Sequence, residues 1–148
     1  MNDQQTVSDA KKILVVDDNP DILNILKTVL AEKGYRVLTA TEGSEAVNIV
    51  CNERPDLIVL DLIFPADMTQ SCQVWDGFRI MAWLRRMGRA KNVPVIIVSG
   101  SDPDEYEERC LAAGAAAFLP KPLDIHKVLA TVRASLGEEA ESEPSASA

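Results

Sequence analysis

Four short stretches of this chain carry side chains suited to chemistry: Asp17-Asp18, Asp61, Ser99-Gly100 and Pro120-Lys121-Pro122. Taken singly, each has an ordinary reading. Asp17-Asp18-Asn19-Pro20 can cap a helix, Asp61 can open a turn, Ser99-Gly100 is a common strand exit and Lys121 can be a solvated turn lysine. Taken together they pose an electrostatic problem. Two like charges ~4 Å apart at an effective dielectric near 20 repel by on the order of 4 kcal/mol. One lysine cannot neutralise three aspartates, whereas a divalent cation plus Lys121 can. A ligand set of oxygen alone, without His or Cys, points to Mg²⁺. Magnesium takes only one or two carboxylates from a protein and readily completes its shell with a phosphoryl oxygen, so the implied chemistry is that of phosphate. Asp61 is the candidate nucleophile, since a carboxylate can accept a phosphoryl group as an acyl phosphate. The metal and Lys121 would stabilise the equatorial oxygens, and Ser99 could donate a hydrogen bond to one of them.

These residues act together only if the fold gathers them, and the surrounding pattern predicts that it does. Each follows a short apolar run rich in β-branched residues: Ile13 to Val16, Leu57 to Leu60, Val95 to Val98 and, more weakly, Ala116 to Leu119. Tyr35 to Leu38 is a fifth run. Continuous rather than alternating hydrophobicity marks strands covered on both faces, as in a parallel sheet between helices. The intervening segments read as helices. In the first, Ile22, Ile25, Leu26, Val29 and Leu30 share a face, Asn19 caps, Pro20 sits in the first turn and Gly34 is the stop. Others are predicted from about Ser44 to Glu53, Asp76 to Met87, Pro103 to a stop at Gly114, and Leu123 to Leu136. Five βα units in alternation give an α/β doubly wound fold. Ligands of such sheets bind beyond the carboxyl ends of the strands, where all four polar stretches fall.

The 148 residues, 47% apolar and 26% charged, suit one domain with a well-buried core. No apolar run is long enough for a membrane span, MNDQQTVSDA lacks the pattern of a signal peptide, and the expected location is cytoplasmic. Cys51, Cys72 and Cys110 are too few and too widely spaced for a disulfide framework or a metal site, and are expected to be buried or incidental thiols. The net charge of -8 sits mostly in the ends, leaving 17 acids against 15 bases in residues 11–136. That balance argues against direct nucleic-acid binding. Residues 1–10 and the acidic tail 137–148 are expected to be disordered. His126, the single histidine, is expected to be a solvated helix residue rather than a phosphorelay group.

The motifs ILVVDDNP, LIVLDLIFP, VIIVSGSD and AGAAAFLPKPLD, spread over Lys12 to Leu136, resemble the receiver domain of bacterial two-component response regulators. The resemblance implies a flavodoxin-like sheet of order 2-1-3-4-5, which places strands one and three side by side. It implies a domain over residues 11–136 in which Asp61 accepts phosphate from a histidine kinase phosphohistidine. Asp18 would be a direct Mg²⁺ ligand, Asp17 would act mainly through metal-bound water, and the main-chain carbonyl of Ile63 would be a further ligand. Lys121 would pair with Asp61 and then with the phosphoryl group, aimed by a cis Lys121-Pro122 peptide. Ser99 and Phe118 occupy the two switch positions. The surface of the fourth helix, fifth strand and fifth helix would then shift to favour a partner. Expected partners are a sensor histidine kinase or histidine phosphotransfer protein and a downstream protein target, with a homodimer left open.

Two features depart from the family pattern. An Asp-Gly pair usually follows the proline of the phosphoacceptor loop closely, but Ala66 to Trp75 separate Pro65 from Asp76-Gly77. This insertion of about eight residues is either a tolerated surface excursion or a segment whose Phe64, Met68 or Trp75 contacts the kinase or covers the pocket. Ile63, with Ser101, would flank the path of attacking water, and its apolar branched side chain implies slow self-hydrolysis. No output module is apparent after the fifth helix, so a stand-alone receiver, a phosphorelay intermediate or a piece of a larger protein are the open readings. Two alternatives from other classes compete. An Asp-nucleophile phosphatase or phosphotransferase similar to the haloacid dehalogenase group would want a second Asp at position 63, where Ile63 stands. A pseudo-receiver would typically lack one of the acids or the lysine.

Overall fold

The structure is a computed structural model that describes residues 10–61, 77–86, 92–100 and 103–137. The apolar runs form five parallel strands, β1 (Lys12–Val16), β2 (Arg36–Ala40), β3 (Leu57–Asp61), β4 (Val95–Ser99) and β5 (Ala117–Pro120), in the order β2-β1-β3-β4-β5. This is the flavodoxin-like order. Its switch point lies between β1 and β3, which pair from Ile13↔Leu57 to Val16↔Leu60. The connections carry helices α1 (Pro20–Glu32), α2 (Gly43–Glu53), α3 (Gly77–Arg86), α4 (Pro103–Ala112) and α5 (Ile125–Ser135).

Side chains alternate across the strands and so divide the core in two. Ile13, Val15, Leu57, Val59, Ile96 and Val98 pack with Leu23, Leu26 and Leu30 of α1 and Val128 and Val132 of α5. On the opposite face Leu14, Val16, Ile58, Leu60 and Ile97 meet Ala46 and Val50 of α2, Ile80, Met81 and Leu84 of α3, and Cys110 of α4. β3 and β4 are buried throughout, and β1 from Ile13 onward, which is why these runs show no polar alternation.

Local punctuation sets the element ends. Asn19 Oδ1 accepts from the Asp21 N–H at 2.8 Å, with Pro20 in the first turn, and Gly34 at φ 97° closes α1. Tyr35 donates its N–H back to Leu30, so pairing of β2 starts at Arg36, whose N–H reaches Lys11. The second strand therefore runs to Ala40 instead of covering Tyr35 to Leu38. α5 starts at Ile125 rather than Leu123 because the Asp124 carboxylate caps it, accepting from the N–H groups of His126 and Lys127. α2 ends through Arg54 in the left-handed region, at φ 53°. Segments 1–9 and 138–148, the Ala66 to Trp75 insertion, Asp76 and Met87 lie outside the described residues. Cys110 is buried as expected, Cys51 is exposed, and Cys72 is outside the description.

Candidate functional site: an acidic rim with one ammonium

The site is assembled by register. The N–H of Asp17 donates to Ala40 at 3.1 Å, which extends the β1 ladder by one residue and fixes this carboxylate at the strand end. Asp61 is the last residue of β3 and lies opposite Val98, one position before Ser99. Ser99 pairs with Pro120, and the N–H of Lys121 donates to the Ser99 carbonyl at 2.9 Å. Groups far apart in sequence thus leave adjacent strands at the same edge, and the Lys121-Pro122 peptide is cis.

Asp17, Asp61 and Ser99 are 2%, 5% and 2% exposed, while Asp18 is open to solvent. Carboxylate oxygens of Asp17, Asp18 and Asp61 all lie within 4.8 Å of one another. The Lys121 ammonium stands 3.0 Å from Asp17 Oδ2 and 3.7 Å from Asp61 Oδ1. It is thus nearer Asp17 than the residue the resemblance pairs it with. Asp17 Oδ1 accepts from the Asn19 N–H at 2.9 Å. Asn19 therefore serves twice, its side chain capping α1 and its backbone orienting Asp17. Only the first role was legible, because the second uses the N–H of residue 19, which any residue but proline supplies. Phe118 is in the core on the α2–α3 face beside Ile97, and Ser99 follows Ile97 by two residues on that same face. Ile63 and Ser101 lie outside the described residues.

Every donor gathered here is an oxygen, and two oxygens on opposite sides of an octahedral Mg²⁺ lie roughly 4 Å apart. Carboxylate oxygens gathered within 4.8 Å of one another are close enough to share one cation. Among the described residues Lys121 is the ammonium paired with buried Asp17 and Asp61, which leaves negative charge that a divalent cation would neutralise, and exposed Asp18 keeps one approach open. The acidic pocket can hold a metal.

A flavodoxin-like sheet whose switch-point rim gathers three carboxylates and one lysine defines a domain built to handle a cation and an anionic group together. The family model described as response regulator receiver domain matches residues 13–133, and the chain belongs to that family. It is 34% identical over 125 residues to "Response regulator MprA" of Mycobacterium sp. (strain KMS), covering 84% of this chain and 50% of that protein. The chain spans about half the length of the curated relatives it matches. It is similar to the chemotaxis response regulator CheY4 of Vibrio cholerae, with TM-score 0.74 and 28% identity, covering 85% of this chain and 98% of that one. It is also similar to the receiver domain of sensor histidine kinase PA1611 from Pseudomonas aeruginosa PAO1, whose structure has a magnesium ion coordinated in the active site cleft. There the TM-score is 0.74 and the identity 26%, over 87% of this chain and 99% of that one. A receiver domain is a phosphoacceptor module of two-component signalling that partners with histidine kinases, not a turnover enzyme. Among the described residues no helix is long and apolar enough to cross a membrane.

Proposed function

We propose that this domain, over residues 11–136, is a phosphorylatable switch with Asp61 as phosphoacceptor. The observation that carries the reading is the Lys121 ammonium set between two buried carboxylates, Asp17 and Asp61, with Asp18 alongside. An Asp61 oxygen attacks the phosphorus of a phosphohistidine. A P–O bond forms, the P–N bond breaks, and its electron pair returns to the imidazole. Lys121 leaves Asp17 to meet the equatorial phosphoryl oxygens, over which the charge of the transition state is spread. Magnesium would be held by Asp18 and Asp61, by Asp17 through water and by the Ile63 carbonyl, and when bound it supplies charge neutralisation at the phosphoryl group.

Ser99, at the end of the neighbouring strand, then donates its hydroxyl to the phosphoryl group. Phe118 fills the space this opens, and the α4–β5–α5 surface is biased toward a partner by no more than the difference in these contacts between the two states. The phosphodonor is a sensor histidine kinase or histidine phosphotransfer protein, and the recipient of the signal is a downstream protein. Incubation with acetyl phosphate and Mg²⁺ followed by intact mass tests the reading. One phosphoryl group is expected on the wild-type chain and none on Asp61→Asn. An adduct that survives Asp61→Asn, or no adduct on either chain, overturns it. Ser99→Ala should still accept phosphate but lose most of the phosphorylation-dependent change in hydrogen exchange of the α4–β5 region.

A further inference from the structure

The described side chains of α4, residues 107–112, anchor it thinly. Cys110 is buried, whereas Glu107, Glu108, Arg109, Leu111 and Ala112 are exposed. Its C-terminal end is held by the turn that leads into β5. There the Gly114 N–H donates to Leu111, the Ala115 N–H to Cys110, and the Ala116 N–H to Val95 of β4. The carbonyl of Gly114 accepts from Arg85 Nη2 at 2.7 Å, and Arg85 Nη1 reaches the carbonyl of Val93 at 3.4 Å. Arg85 lies in the last turn of α3, so one guanidinium ties α3 to the segments entering both β4 and β5. Gly114 has φ +108°, and a Cβ there would stand 2.8 Å from Arg85 Nε. Glycine is needed both for the backbone turn and for the approach of the guanidinium. The fork of Arg can serve two carbonyls at once, which the single ammonium of Lys does poorly.

α4 begins at Pro103, shortly after Ser99, so its first turn is at the site end of the sheet and the Arg85 clamp is at the opposite end. β5 starts at the clamp and delivers Phe118 and Lys121. We propose that Arg85 is a positioning residue of the switch. By pinning the α4–β5 turn to α3 and β4 it makes the C-terminal end of α4 the fixed end, so that phosphorylation moves the N-terminal end of α4 and leaves the turn in place. This rests on the phosphoacceptor reading above.

The test uses the full chain as wild type, Arg85→Lys, Arg85→Met and Gly114→Ala, each with and without acetyl phosphate and Mg²⁺. Intact mass first establishes the phosphoryl group. A wild-type chain without an adduct overturns the phosphoacceptor reading, whereas an adduct lets the role of Arg85 be judged alone. Hydrogen exchange is then read on peptides covering residues 103–120. In the wild type, phosphorylation should alter exchange in the first turn of α4 and leave amides 113–116 unchanged. Arg85→Met should speed amides 113–116 about tenfold in both states, as loss of a charge-assisted hydrogen bond allows, while amides of β1 and α1 stay as they were. Phosphorylation should then disturb the turn as well. Gly114→Ala should reproduce this pattern and Arg85→Lys should fall between. The proposal is overturned if the turn of an adducted Arg85→Met protein exchanges as in wild type. It is equally overturned if every amide accelerates by one common factor, or if phosphorylation of wild type already moves amides 113–116. Should Arg85→Met fail to fold, Arg85→Lys and Gly114→Ala carry the same comparison.

Discussion

At Lys121 a single ammonium offsets two carboxylates that the fold has buried, and removing it exposes their mutual repulsion. Its side chain is 23% exposed, so water moderates the cost, and breaking this pair falls below the upper range for fully buried ion pairs. Lys121→Met should lower the unfolding free energy by about 1–3 kcal/mol in metal-free buffer, with part of the loss restored by Mg²⁺, as urea titration would show. Equal losses with and without Mg²⁺ would mean that Lys121 does not share its charge-balancing role with a cation. A second residue gives a pH signature. Burial pushes the Cys110 thiol above its ordinary pKa of 9.0, with Arg109 opposing and Glu107 adding to the rise. Because the folded state holds this proton more tightly, the stability it contributes is whole below the ordinary thiol pKa and is lost as pH rises through the folded value. The difference in stability between wild type and Cys110→Ala should therefore be flat up to about pH 9 and shrink above it. Alkylation at neutral pH, mapped by peptide mass, should modify exposed Cys51 and spare Cys110 until the chain unfolds.

The elements show what residue order can and cannot announce. α1 was legible at both ends because Asn19 and Pro20 favour the start of a helix and Gly34, at φ 97°, the turn just beyond its end at Glu32. The end of α2 at Glu53 was legible as well, because Pro55 follows it closely, but the left-handed turn of Arg54 was not, since that residue adopts it without glycine's freedom while its N–H donates to Val50. β2 was displaced in sequence reading because Tyr35 has strand character but spends its N–H on the close of α1. That the acidic residues share one edge was legible as soon as the strands were, because a parallel sheet puts every carboxyl end on the same side, whereas the adjacency of β1 and β3 followed only from the family resemblance. What pattern could not supply was the sharing of Lys121 between Asp17 and Asp61, or the hold of Asn19 on Asp17. Both are distances set by rotamer and turn rather than by residue type. The double duty of Asn19 leads to a measurable consequence. Asn19→Ala should cost ~1 kcal/mol through the lost cap yet leave Mg²⁺ affinity near wild type, because the bond to Asp17 comes from the backbone. A large drop in Mg²⁺ affinity would show that the cap itself holds Asp17 in place.

For the molecule as a whole, one sheet forms a wall of both cores, so neither hydrophobic cluster can open without exposing strands that serve the other. Unfolding should therefore be a single transition, with helix loss and core exposure coinciding. The acidic rim sits at the junction of β1, β3, β4 and β5, and anything it binds in the folded state alone stabilises the whole domain through mass action. At a Mg²⁺ concentration one hundred times its dissociation constant the gain is about 2.7 kcal/mol. For a domain of this size that raises Tm by several degrees, roughly 2–6 °C per kcal/mol. The net charge of -8 also predicts some stabilisation by any salt, through screening. The two effects separate cleanly: Na⁺ matched for ionic strength should give only the screening component, and Asp18→Asn should retain that component while losing the Mg²⁺-specific shift. If Asp18→Asn responds to Mg²⁺ as wild type does, the ion is acting on the general charge of the surface, and the three carboxylates gathered by the sheet are not its site.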